Sequence, residues 1–348
     1  VNPIRIDLYS DTKTRPTPGM RRAMAEAEVG DEQSWEDPSV NRLCEQVCDL
    51  LGKEAALFLP SGTMCNIIGF AVHCRPGDEV MLHRTAHPIT SEGGGPAVHA
   101  GVMLRGLEGD RGIFAPDAVR AALASPGVKR PRQRLVSIEQ TSNAGGGSIW
   151  PLATVREVAA VAHEHGLAVH MDGARLLNAV VASGVSARDY AALCDSVWID
   201  LSKGLGCPVG AVIAGSRAFI EEAWRCKHLF GGAMRQAGIL AAAGLYALEH
   251  HVQRLAEDHA NAQALAAGLV DIPGIVLDPP QVDTNMVFFD VAGTGFTARQ
   301  LSERLAADGL RIGGGDGTRM RAVTHLDVSR DQIDEAITIV RGALREAR

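Results

Sequence analysis

Apolar and polar positions follow two distinct patterns along the chain. Short, nearly unbroken apolar runs recur at Ala55–Leu59, Asp78–His83, Arg134–Glu139, Leu167–Asp172, Ser196–Asp200 and Gly210–Gly215. Between them lie stretches with helical spacing, among them Ser39–Leu51, the apolar stretch after PSGT, and TVREVAAVAHEHG. Strand-like runs that do not alternate, each followed by a helical pattern, predict βαβ units and a mostly parallel sheet covered on both faces. Trp150-Pro151 with Thr154 reads as a helix start, and Gly166 as its C-terminal stop. From about Gly238 the pattern changes. A long helical region through YALEHHVQRLAEDHANAQALAAGL leads into TNMVFFDV, a strand, and then a second strand–helix alternation. This predicts an α/β protein with a large domain over residues 1–250 and a small α+β domain over 251–348, hinged by a long helix. The last helix, DQIDEAITIVRGALREAR, is amphipathic, with Ile333, Ile337, Ile339 and Leu344 among its apolar positions, and is expected to pack on the small domain.

Composition narrows the class. The chain has 348 residues, enough for one large domain or two that share an interface. Its 46% hydrophobic and 22% charged content is ordinary for a globular protein, and 38 glycines point to tight turns and close backbone approaches. A net charge of −7 argues against nucleic acid or an anionic membrane as partner. The longest apolar candidate, Gly238–Leu248, is too short to span a bilayer and reads as a buried helix. The opening VNPIRIDLYSD lacks the apolar core of a signal peptide. Seven scattered cysteines predict free thiols in a reducing compartment, the cytoplasm. Cys44 and Cys48 share a helix face. They read as small core residues rather than metal ligands, because no second Cys/His pair stands at ligand spacing. No metal is expected.

Ligands of open parallel sheets bind beyond the carboxyl ends of the strands. At those ends stand Ser61, Gly62 and Thr63; Thr85, Ala86 and His87; Glu139, Thr141 and Asn143; Asp172, Gly173 and Arg175; and Ser202 with Lys203. SGT opening a helix can present backbone N–H groups to a phosphate, or be a simple helix cap. The GxxxxGK[ST] pattern is absent, which argues against a P-loop nucleotidase. Asp172 ends a buried strand and needs a partner, either Arg175 in a structural pair or a ligand. Lys203 either reaches solvent or an acid, or is a desolvated amine able to form a Schiff base. Together, a buried lysine, a strand-end aspartate and a phosphate loop match pyridoxal 5′-phosphate. The lysine would carry the cofactor, the aspartate would keep its ring nitrogen protonated, and the loop would take the phosphate.

Longer motifs carry a resemblance. DLYSDTKTRPT, GKEAALFLPSGTMCN, TAH with EGGG, VHMDGARLLNAVVASG, LSKGLGCPVGAV, GGAMRQAGILAAAGLYAL, DTNMVFF and RAVTHLDVSRDQI span almost the whole chain. The sequence is similar to the low-specificity L-threonine aldolases, in the aspartate-aminotransferase superfamily (fold type I) of pyridoxal phosphate enzymes. The resemblance implies a large cofactor-binding domain with a mostly parallel seven-stranded sheet, to which the N-terminal segment adds, and a small C-terminal domain. It implies a homodimer or homotetramer with shared active sites. By position, Lys203 resembles the Schiff-base lysine and Asp172 the pyridinium partner. His87 would stack on the ring. Gly62 and Thr63 would bind the phosphate, Ser202 would help with the phosphate or the lysine, and Arg235 would reach the phosphate, of its own or of a neighbouring subunit. Ser10, Arg175 and Arg321 would clamp the substrate carboxylate. The implied reaction is retro-aldol cleavage of an L-β-hydroxy-α-amino acid to glycine and an aldehyde. Another reaction on the same scaffold, β-elimination or transamination, and a non-catalytic cofactor-binding role are the competing readings.

Three segments depart from the family pattern. VGDEQSWEDP has Ser34 where relatives often carry a tyrosine, with Trp35 beside it. EQTSNAGGG has Ser142 in place of a histidine, and AHPI has Pro88 and Ile89. A histidine at Ser142 would be a candidate for the substrate β-hydroxyl. In its absence His87 or an ordered water has to serve. Either His87 suffices, or the side-chain pocket is remodelled and threonine is not the preferred substrate.

Overall fold

The structure, a computed structural model, describes residues 3–125 and 127–345. It comprises two compact units, residues 16–252 and residues 1–15 with 253–348. The first fifteen residues, which the sequence reading counts with the large domain, therefore group with the C-terminal part. Their strand, β1 (Ile6–Leu8), lies in the smaller unit's sheet.

The larger unit is built on β2 (Ala55–Leu59), β3 (Glu79–His83), β4 (Met103–Leu107), β5 (Gln133–Glu139), β6 (Ala168–Gly173), β7 (Ser196–Asp200) and β8 (Ala211–Gly215). These form one seven-stranded sheet in the order β2-β8-β7-β6-β5-β3-β4. Pairs β3/β4, β3/β5, β5/β6 and β6/β7 are parallel. Strand β8 runs antiparallel to both β7 and β2. Strand β4 lies at the edge, and its half-exposed MLRGL lacks the unbroken apolar run that marks the inner strands. Register aligns the carboxyl ends: Glu139 of β5 stands opposite Asp172 of β6, which stands opposite Trp198 of β7.

Local signals set the helices around this sheet. Asp37 caps the helix Pro38–Leu51 by accepting from Ser39 N and Val40 N at 3.1 and 3.0 Å. Gly52 ends that helix at a φ of 65°, the left-handed conformation that favours glycine. Helix Leu152–Glu164 begins after Pro151 and stops before Gly166, as the sequence predicts. Helix Gly62–His73 packs Cys65 and Ile68 into a core with Leu57, Leu59, Trp198, Ile213 and Phe219.

The smaller unit is a five-stranded sheet in the order β1-β11-β12-β10-β9, where β9 is Val276–Leu277, β10 Met286–Asp290, β11 Leu310–Gly314 and β12 Arg319–Val323. Strand β1 joins it because Ile6 and Leu8, both buried, pair in parallel with Leu310 and Ile312. The expected long helix is two: Gly238–His250 in the larger unit and Leu255–Val270 in the smaller. The break falls where the units divide. The last helix, Arg330–Arg345, buries Ile333, Ala336, Val340, Ala343 and Leu344 in the smaller unit's core, with Ile337 and Ile339 half-buried at its margin.

Candidate active site

Strand β7 delivers the lysine. Its last residue, Asp200, accepts from Ser202 N and Oγ at 2.8 and 2.9 Å through Oδ1. Through Oδ2 it takes the Lys203 amine at 2.5 Å. The Lys203 side chain is 19% exposed and that of Asp200 is 5% exposed. The amine is therefore paired with an acid, as one sequence reading of Lys203 has it, and is largely withdrawn from water.

Asp172, at the end of β6, is buried. It accepts from Ala174 N at 3.0 Å and from Asn66 Nδ2 at 2.8 Å. Burial, and then repulsion from Glu139, pushes its carboxyl up to about 7, against the pull of Asn66 and Lys203. Asn66 Nδ2 also donates to Glu92 Oε1 at 2.7 Å, and the same oxygen takes His87 Nδ1 at 2.9 Å. The hydrogen bond to Glu92 raises the proton affinity of His87, against the opposing effect of burial. Glu139 fixes the segment around it by accepting from His87 N at 2.8 Å and Asn143 N at 2.6 Å. Lys203, Asp172 and His87 thus belong to one cluster in the larger unit. It also holds Asn66, Glu92, Glu139 and Asp200, to which the sequence reading gave no role.

Two signals for these residues were present. Asn66 is a lone amide in an apolar helix, and Glu92 opens the EGGG run. Neither says what the side chain meets across the fold.

The candidate phosphate cup adjoins the lysine. Ser61 caps the helix Gly62–His73, its Oγ accepting from Met64 N at 3.2 Å. N–H groups in the first turn of a helix have no acceptor within it. A Cβ on Gly62 would lie 2.4 Å from the Trp198 ring and 3.2 Å from Asp200 Oδ2, so only glycine lets the helix start this close to β7. Gly62 and Thr63 therefore sit beside the Asp200–Lys203 pair.

The remaining site residues are placed as follows. Arg175 is buried after β6, its backbone N–H bonded to Gln140 O at 3.1 Å. In the smaller unit, Ser10 caps a turn by accepting from Thr12 N at 3.2 Å. Arg321 of β12 donates to Tyr9 O, next to Ser10, at 3.2 Å. Ser34 is exposed in a turn whose Asp31 pairs with Arg235 at 2.7 Å. Ser142 is buried, its Oγ accepting from Gly145 N at 3.3 Å and pressed against Gly112. Its hydroxyl is engaged in the packing of its own loop.

The donor set suits pyridoxal phosphate. Asp172, Glu92, Glu139 and Asp200 are all buried carboxylates gathered around one amine and one imidazole. A protonated ring nitrogen placed on Asp172 would give its buried carboxylate a cationic partner. Among the described residues, Glu92 Oε2 is buried without a hydrogen-bond partner. Among the described residues no cluster of His, Cys, Asp and Glu fits a metal ion, no helix is long and apolar enough to cross a membrane, and the seven cysteines are unpaired.

Known proteins resemble this chain over most of its length. A family profile described as beta-eliminating lyase matches residues 7–292. Low-specificity L-threonine aldolase 1 of Arabidopsis thaliana is 40% identical over 344 residues, covering 97% of this chain and 96% of the relative. The low specificity L-threonine aldolase of Escherichia coli strain K12 is 41% identical over 331 residues, covering 95% and 96%. The solved structure of Leishmania major threonine aldolase shares the fold at a TM-score of 0.84 with 21% identity, covering 97% of this chain and 99% of that one.

Proposed function

The chain belongs to the beta-eliminating lyase family, among the low-specificity L-threonine aldolases, and from that premise we propose that it cleaves L-β-hydroxy-α-amino acids to glycine and an aldehyde with pyridoxal 5′-phosphate. The observation that carries the reading is the convergence of the Lys203 amine, the Asp172 carboxyl and the Glu92–His87 pair at the carboxyl ends of neighbouring strands. Lys203 would hold the cofactor's aldehyde carbon, Asp172 its ring nitrogen, and Gly62, Thr63 and Ser202 its phosphate. Bound there, pyridoxal phosphate supplies an electron sink for the pair left on Cα when the Cα–Cβ bond breaks.

The protein's own groups do the rest. With Nδ1 on Glu92, His87 keeps Nε2 for the substrate. As a neutral imidazole it accepts the β-hydroxyl proton there, and the Glu92 carboxylate stabilises the imidazolium that results. Glu139 sets where the ring stands by holding the His87 backbone. By the resemblance, Arg175 takes the α-carboxylate. A guanidinium grips a carboxylate in two-point fashion, which fixes which Cα bond is aligned for cleavage. The resemblance also supports Arg235 as a phosphate contact within a homodimer or homotetramer, and the free cysteines support a cytoplasmic protein.

Incubation with L-threonine, L-allo-threonine and a β-aryl serine tests this. Equimolar glycine and aldehyde are expected, and pyruvate with ammonia would overturn the reading in favour of β-elimination. Preference for the β-aryl serine would support a remodelled side-chain pocket around Ser34 and Ser142. Threonine as clearly the best substrate would sink that part.

A further inference from the structure

Asn66 lies one turn into the helix that opens at Gly62 and is 1% exposed. Its two amide hydrogens go to different acids, Asp172 Oδ2 at 2.8 Å and Glu92 Oε1 at 2.7 Å. Its oxygen accepts from Trp198 Nε1 at 2.8 Å and faces His170 Nε2 at 3.3 Å. An indole N–H can only donate, so the amide cannot be turned round without facing N–H against N–H. His170 is held neutral by burial, which pushes it down to about 3, and its Nδ1 meets Ser196 Oγ at 2.8 Å. The orientation of the Asn66 amide is thus set from behind, by residues of β6 and β7.

We propose that Asn66 is the positioning residue of the site: one amide, locked by Trp198, shares its two hydrogens between the ring-nitrogen acid Asp172 and the Glu92–His87 pair. This rests on the function proposed above. The titratable groups facing Asp172 are Glu139 from β5, Glu92 and His87 from the segment after β3, Lys203 from the loop after β7, and the buried thiol of Cys65 beside Asn66 on its helix. Without the amide donor the carboxylates repel unrelieved, and Asp172 takes a proton at higher pH. It then loses the negative charge that a cationic ring nitrogen needs.

Asn66→Asp separates this from mere space-filling. It keeps the oxygen that Trp198 and His170 bind and replaces the donor by an acceptor. The assay is the Kd of the full-length apoprotein for pyridoxal phosphate, from about pH 6 to about pH 9, a window spanning the Asp172 transition. Comparison with the unaltered chain cancels the cofactor's own titrations. The variant is expected to bind about fivefold more weakly at pH 7, with the midpoint of its pH dependence raised by about one unit. A correctly folded Asn66→Asp with the original Kd and midpoint would overturn the proposal. Should that variant not fold, Asn66→Ser, with one donor instead of two, carries the test. Its midpoint is expected to rise by less, and an unmoved midpoint would overturn the proposal. The measurement needs no substrate. A chain that makes no glycine yet shows the shift refutes only the reaction, and one that cleaves normally with the profile unmoved refutes only the role of Asn66.

Discussion

Glu92→Gln isolates the charge that stands behind His87. The Glu92 side chain is fully buried, and its Oε1 lies 2.9 Å from His87 Nδ1. Glutamine keeps an oxygen for His87 and Asn66, and its amide nitrogen can fill the position of the unpartnered Oε2. The change therefore removes charge with little change of shape. A hydrogen bond to a charged group contributes about 1.5–3 kcal/mol. The His87 side chain is 41% exposed, so solvent screening favours the low end, about 1.5 kcal/mol, equivalent to about one pH unit. The sign follows from the direction of the shift. Glu92 raises the proton affinity of His87, and a general base works only when unprotonated. The acid limb of kcat/KM should therefore move to lower pH by about one unit in the variant. The assay is aldehyde release from L-threonine across that limb, at saturating cofactor so that Asp172 does not intrude through affinity. A limb that stays in place, or moves to higher pH, would refute His87 as the base governed by Glu92.

Two further perturbations test the scaffold around the site. Lys227 and Glu32 pair at 2.8 Å with side-chain exposures of 0% and 2%. Glu32→Ala would leave a buried ammonium unpaired, with an expected cost of about 3–5 kcal/mol. The denaturant midpoint reads this, and an unchanged midpoint would contradict the burial of the pair. Gly62→Ala would put a methyl 2.4 Å from the Trp198 ring. A loss of about 1–3 kcal/mol of stability is expected, together with weaker cofactor binding. A thermal scan and a cofactor titration that both match the unaltered chain would show that the helix start has room to spare.

Much of this architecture is legible in the sequence, for a physical reason. Strands covered on both faces must be apolar throughout, so β2, β3, β5, β6, β7 and β8 stand out as runs. Their last residues can then be read off as neighbours, which is how Lys203, Asp172 and His87 come together on paper. Elements without that pressure are hidden. The edge strand β4 is half-exposed and carries Arg105 and Gly106. Strand β1 is three residues long and pairs with β11 far along the chain. The break at 251–254 has no glycine or proline, so the helical pattern runs straight through it. Asn66 and Glu92 are hidden for a different reason. Their roles depend on which carboxylate a helix brings opposite which loop, and no spacing along the chain encodes that. Ser142 shows the converse: its position in a motif suggests substrate, while the fold engages its hydroxyl at Gly145.

The account turns on Lys203 being the residue that carries the cofactor. Reduction of the cofactor-loaded protein with borohydride, followed by peptide mapping by mass, tests this most directly. A pyridoxyl phosphate adduct on the peptide containing Lys203, absent from Lys203→Ala, is the predicted result. An adduct on another lysine, such as Lys53 or Lys227, would contradict it.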